Sequence, residues 1–293
     1  MFNSDGDMKT AKSKSILKQK LQVTVSERNS PILDTIIYDV SALLWVIAWP
    51  SDKLKVFVEN MKVFIYGSLQ TANVTLVFDR YFPNSTKTFT RIQRAGSSLV
   101  YNLTPEMQAP AKNIILTNSK NKIQLNSMLS EGLLDPAFYT SATQTHTLTL
   151  AGVGDVPFEI SGGVKIDRHD LRSKHEEADI LITQHAISSS LLGKSVGIVC
   201  DDTDVFALLV HFYNKECKTR NAAPMIMSSL VKERAVVDIR ATAEAHSDIA
   251  EDLLAIHGLS GADTVASLHG IGKASILKIA KRDGFSLSTV GDV

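Results

Sequence analysis

The sequence predicts an α/β fold in three layers, with a mainly parallel central sheet, and two observations predict it. Apolar runs of strand length alternate with stretches whose apolar residues recur at helical spacing, the pattern of strands and helices in alternation. Three of those runs also stop at Asp where a helix begins, at Asp39, Asp79 and Asp201-Asp202. In a parallel sheet these positions gather along one edge, in the crevice outside the carboxyl ends of the strands where ligands bind.

The first buried strand runs through Ile36-Ile37-Tyr38 to Asp39, and Leu43, Leu44 and Ile47 follow at helical spacing. Phe57, Val58, Met61 and Phe64 place a helix over 54–65. The second strand, 74–78, ends at Asp79, and residues 86–94 then carry Lys87, Arg91 and Arg94, the densest basic patch near the acids. Residues 101–163 read least clearly: 114–116 and 148–150 are expected strands with a helix between them. A helix over 176–192 leads through Gly193 into the third strand, 196–200, and Asp204 opens a helix over 205–213. Apolar runs at 225–227 and 235–239 precede a helical stretch that ends near His257. Gly258, Gly261, Gly270 and Gly272 then punctuate two short helices joined by His269-Gly270-Ile271-Gly272-Lys273, a C-terminal helix-turn-helix hairpin. No internal repeat or strong linker is visible. The expected organisation is a flexible polar arm over 1–30, a core over 31–257, and the hairpin element over 258–293 continuous with that core.

Composition narrows the function classes. Lys plus Arg and Asp plus Glu number 31 each, so no global positive field advertises a nucleic-acid binder, and any such binding must come from a local patch. Cys200 and Cys217 are the only cysteines, too few for a disulfide framework or a cysteine zinc site, and they suit a reducing, intracellular compartment. The first thirty residues lack the continuous apolar stretch of a signal peptide, and no run reaches the length of a membrane span. The glycosylation triplets at Asn73, Asn84 and Asn102 are therefore read as chance matches.

The acids carry the chemistry. Asp202-Thr203-Asp204 places two carboxylates on one side of an extended segment, and Glu177 and Asp179 repeat the acid-x-acid spacing at a helix start. So many carboxylates repel one another unless cations intervene, and Mg²⁺ or Mn²⁺ suits an all-oxygen pocket. Taken one at a time, Asp39, Asp79 and Asp204 read as helix caps, Asp263 likewise, and Glu176-Glu177 as a solvated helix start. Recurrence of Asp after one strand after another favours the metal reading. Lys87, Arg91 and Arg94 gain interest only from following Asp79, where cations stabilise charge on a phosphate. The histidines at 175, 185, 211, 257 and 269 show no zinc spacing and read as structural.

These residues carry a resemblance. Tyr38-Asp39-Val40-Ser41-Ala42-Leu43, Val77-Phe78-Asp79 and His175-Glu176-Glu177-Ala178-Asp179 are followed by Cys200-Asp201-Asp202-Thr203-Asp204 and by Gly258-Leu259-Ser260-Gly261-Ala262-Asp263 with 268–273. In that order they resemble the motifs of the flap-endonuclease or XPG-type branch of the PIN-like superfamily, including uncharacterised animal members derived from mobile elements. The resemblance implies a PIN-like fold and a seven-acid set of Asp39, Asp79, Glu177, Asp179, Asp202, Asp204 and Asp263 holding two Mg²⁺ or Mn²⁺ ions. Asp179 stands where the family usually has Glu, one methylene shorter. Lys87 and Arg94 match the family's basic pair at the scissile phosphate, and residues 101–163 match nothing in it. Asp39, Asp79, Glu177 and Asp179 are expected around one ion and Asp202, Asp204 and Asp263 around the other. The Gly270-Ile271-Gly272 turn and Lys273 are expected to meet a non-scissile phosphate, with Arg91 adding to the basic contact. The implied activity is a metal-dependent endonuclease or 5′-nuclease on DNA before RNA, in the nucleus before the cytoplasm. Two other classes fit the residues less well: an inactive nucleic-acid-binding or assembly module, which the intact acid set disfavours, and a phosphatase of small phosphoesters, which needs neither hairpin nor basic stretch.

Overall fold

A computed structural model describes residues 14–25, 31–82, 99–230, 235–262, 265–267, 271–283, 287 and 290. The chain divides into two compact units: residues 33–185 form one, while residues 1–32 and 186–293 form the other. Of the polar arm expected over 1–30, residues 14–25 are described. Within that arm stand a helix, α1 (Ser15–Leu21), and a strand, β1 (Thr24–Val25). Leu17 and Leu21 lie on one helical face four residues apart and are both buried. The short apolar stripe had been diluted by the lysines around it.

The unit of residues 33–185 opens with β2 (Thr35–Asp39), α2 (Val40–Val46), α3 (Leu54–Ser68) and β3 (Asn73–Val77). In α3 the buried Leu54, Phe57, Val58, Met61 and Ile65 follow the helical period that the sequence announced. The run at 114–116, expected as a strand, is instead part of a helix, α4 (Lys112–Thr117). Three apolar residues cannot separate the two periods, and Asn118 turns the chain directly into α5 (Ser119–Leu133) by capping it. From the same region Lys112 Nζ reaches back to the Trp45 and Ile47 carbonyls at 2.6 and 2.9 Å, closing the C-terminal end of α2. After α6 (Pro136–Ala142) come β4 (Leu148–Ala151), β5 (Phe158–Ser161) and β6 (Val164–Asp167). β2, β3 and β4 are parallel neighbours, with Asp39 beside Val77 and Val77 beside Ala151. β5 and β6 extend this sheet antiparallel. Gly162 and Gly163, at φ of 56° and 76°, make the two-residue turn between them.

Through α7 (Ala178–Leu191) the chain passes into the other unit, whose later elements are β7 (Val196–Val199), α8 (Thr203–Phe212), β8 (Met225–Ser228), β9 (Val236–Asp238), α9 (Ile239–Ala245), α10 (Leu253–Leu259) and α11 (Lys273–Asp283). β7 and β8 are parallel, β9 is antiparallel to β8, and β1 closes the edge by pairing Thr24 with Val237. α10 and α11 thus belong to the unit that contains β7. No helix among the described residues is long and apolar enough to cross a membrane.

Candidate active site

In the unit of residues 33–185 the parallel strands deliver two acids at their carboxyl ends. Asp39 closes β2 and caps α2, accepting from Ser41 N–H at 2.8 Å. Asp79 stands two residues beyond β3, where its carboxylate accepts from Ser41 Oγ at 2.9 Å and from Ala178 N–H at 3.4 Å. Ser41 therefore joins the two acids, giving its amide proton to one and its hydroxyl proton to the other. A cation completes this cluster: Lys122 of α5 donates to Ser41 Oγ at 3.2 Å. Gly152, at φ of 83°, lets the end of β4 lie against Phe78 beside them. A Cβ there would fall 2.0 Å from the Phe78 carbonyl oxygen.

The acid-x-acid segment is held from the same place. Glu177 precedes α7 and Asp179 occupies its first turn, so the Ala178 amide that binds Asp79 lies between them. Upstream, Arg80 is 9% exposed and donates to the Ser173 and His175 carbonyls at 3.0 and 3.1 Å, while its other terminal nitrogen binds Asp155. Its own amide donates to Glu176 O at 3.1 Å. One buried guanidinium thereby fixes the strand of chain that presents Glu177 and Asp179.

In the other unit, Asp202 caps α8 by accepting from Asp204 N–H at 2.9 Å. Asp204 lies in the first turn, where His257 Nε2 meets its Oδ1 at 2.8 Å and Lys14 Nζ its Oδ2 at 3.3 Å. Burial alone would raise the Asp204 carboxyl, but the His257 hydrogen bond and the Lys14 charge outweigh it and hold the group down at about 2. Behind His257 stands Lys273, 3% exposed, whose Nζ reaches His257 Nδ1 at 3.0 Å, His257 O at 3.2 Å and Ser260 Oγ at 3.2 Å. Burial pushes its ammonium down to about 8, so it stays charged at neutral pH. Lys273 was expected on a phosphate. Its ammonium is instead spent inside the fold.

Asp39, Asp79, Glu177 and Asp179 are thus brought to one region of the first unit, and Asp202 and Asp204 to the start of α8 in the second. Gly272 is exposed just before α11. Lys87, Arg91, Arg94, Asp263 and Gly270 lie outside the described residues. Ser41, Arg80, Lys122 and Lys14 were not singled out from sequence. Only Arg80 had a signal there, its adjacency to Asp79.

Asp39 and Asp202 do act as caps. Capping engages one oxygen, and a carboxylate carries lone pairs on both, so capping and ligation are compatible roles. The candidate donors in each unit are carboxylate oxygens; both cysteines are buried, and the Sγ of Cys200 accepts from the Asp202 amide at 3.4 Å. A donor set of this chemistry fits a hard divalent cation of the Mg²⁺ or Mn²⁺ class.

No family model matches the sequence, and no curated protein matches it. Solved structures do. A structure of the catalytic core of Rad2 in complex with DNA substrate is similar with a TM-score of 0.50 and 13% identity, over 94% of this chain and 68% of that one. A second complex of the same core gives a TM-score of 0.48 and 14% identity, over 92% and 68%. The T5 D15 protein, co-crystallized with metal ions, gives 0.44 and 15% identity over 87% and 76%. At such identity a likeness speaks to fold alone.

Proposed function

We propose that this chain, whose fold is PIN-like and of the flap-endonuclease type, is a divalent-metal-dependent nuclease hydrolysing phosphodiester bonds in structured DNA. One observation carries this reading: carboxylates recur at the carboxyl ends of parallel strands, Asp39 at β2, Asp79 after β3 and Asp202 after β7. Rad2, of the same fold, was solved with a DNA substrate, which supports the choice of polymer. In this reading Asp39, Asp79, Glu177 and Asp179 hold one ion, and Asp202, Asp204 and Asp263 the other. Bound ions of this class supply Lewis acidity and neutralise the attacking and leaving oxygens of an in-line displacement.

The protein's own part is orientation and charge. Ser41 sets Asp39 and Asp79, Arg80 fixes the segment that carries Glu177 and Asp179, and Lys87 and Arg94 neutralise the scissile phosphate. Arg91 and the Gly270-Ile271-Gly272 turn meet phosphates away from the cut, a contact that carries no base sequence. Asp202→Asn is the deciding test, since Asn keeps the shape and the capping oxygen but removes the charge. The parent is expected to cut one member of a panel of flap, bubble, blunt and single-stranded DNA and RNA substrates in Mg²⁺ or Mn²⁺, and to be silent in excess chelator. The variant should fold and lose cleavage by orders of magnitude. Parent-like cutting by Asp202→Asn, or cutting in chelator, removes the metal-nuclease reading.

A further inference from the structure

The bonding around His257 has a direction. Lys273 Nζ has three protons and three acceptors at 3.0 to 3.2 Å: His257 Nδ1, His257 O and Ser260 Oγ. Ser260 Oγ is free to accept, because its own hydroxyl proton goes to the Ile256 or His257 carbonyl. An ammonium cannot accept, so Nδ1 must offer its lone pair, and the imidazole proton is then on Nε2, facing Asp204 Oδ1 at 2.8 Å. His257 thereby fixes the orientation of the Asp204 carboxylate through Oδ1, and at Oδ2 a positive charge, Lys14 Nζ, stands at 3.3 Å.

We infer that Lys273 and His257 form a positioning relay for Asp204, in which the first residue of α11 sets the imidazole tautomer and the imidazole sets the carboxylate oxygen presented to a divalent ion. The inference rests on the reading of Asp204 as a metal ligand. A relay of this kind explains why a lysine is buried at the start of α11 and why His257, of no use as a zinc ligand, faces an acid at the start of α8. The C-terminal helix is thereby part of what holds the metal. Outer groups that orient a ligand in this way change metal affinity by roughly 10- to 100-fold when removed.

Two measurements on the full chain test the relay, and neither uses nucleic acid. Imidazole ¹⁵N spectra of the parent, with His257 assigned by its loss in His257→Gln, should show Nε2 protonated and Nδ1 bare; the opposite tautomer overturns the relay whether or not any variant folds. Mn²⁺ titration followed by the spin resonance of the free ion should show about tenfold weaker binding in His257→Leu. His257→Gln, whose amide can accept from Lys273 and donate to Asp204, should stay within about threefold of the parent. Parent affinity in His257→Leu, or equal losses in Leu and Gln, overturns the relay and leaves the nuclease reading standing. A parent that binds Mn²⁺ with both signatures but cuts nothing keeps the relay and removes the nuclease. A parent that binds no Mn²⁺ removes both.

Discussion

An imidazole buried with an unpartnered nitrogen is costly to protonate, and His185 is so placed. It is almost fully enclosed in α7, and its Nε2 finds no hydrogen-bond partner among the described residues. Burial first, and the Arg168 charge second, lower it from 6.5 to about 4. Between those values the unfolded chain takes up a proton that the folded chain refuses, so stability falls as pH drops from 6.5 towards 4 and is unaffected above that window. The full difference is about 3 kcal/mol. Urea denaturation of the parent should weaken over this range by more than that of His185→Gln, and identical pH profiles would show that His185 does not drive the loss. At this scale the sequence was a fair guide to type and a poor one to direction. Asp39, Asp79 and Asp202 were legible because a strand end fixes where such a residue emerges. Lys273 was not, because nothing in Gly270-Ile271-Gly272-Lys273 says that its side chain turns inward to His257.

Elements depend on clamps that local pattern does not reveal. The segment between β6 and α7 has almost no apolar content of its own, and Arg80 organises it through two carbonyls and Asp155, drawn from a position ninety-odd residues earlier. Arg80→Met is expected to leave those acceptors unsatisfied, at a cost of about 1–3 kcal/mol in denaturant unfolding. Amide exchange should accelerate over residues 173–179, and unchanged exchange there would mean that the segment holds itself. The same contrast explains which elements could be read. α3 announces itself by apolar residues at helical period over 54–65, whereas α4 offers only a three-residue apolar run, which does not separate a helix from a strand. β5 and β6 carried a Gly-Gly turn signal, but β6 is exposed along its whole length and lacks the alternation that marks a half-buried strand. α5, expected only as a helix between two strands, supplies Lys122 to Ser41, the residue that joins Asp39 and Asp79.

The whole molecule carries equal numbers of positive and negative side chains, so its local concentrations of acid are matters of placement and not of composition. Placement over long range is what sequence patterns lose: Thr24 pairs with Val237, and Lys14 with Asp204, across about two hundred residues. A consequence for global stability follows from gathering carboxylates at strand ends. Divalent ions that bind only the folded state stabilise it by mass action, by about 2.7 kcal/mol at a hundred times the dissociation constant, while carboxylate repulsion lowers stability when they are absent. Calorimetric melting of the parent should therefore rise by several degrees in saturating Mn²⁺. Asp202→Asn should start at or above the parent in chelator, because a repelling charge is gone and the cap of α8 survives, and should gain less from Mn²⁺ because a ligand is gone too. The two curves should converge or cross as Mn²⁺ increases. Melting that ignores Mn²⁺ in both proteins would mean that the acids are not a metal centre, and an equal gain in both would mean that Asp202 is a cap alone.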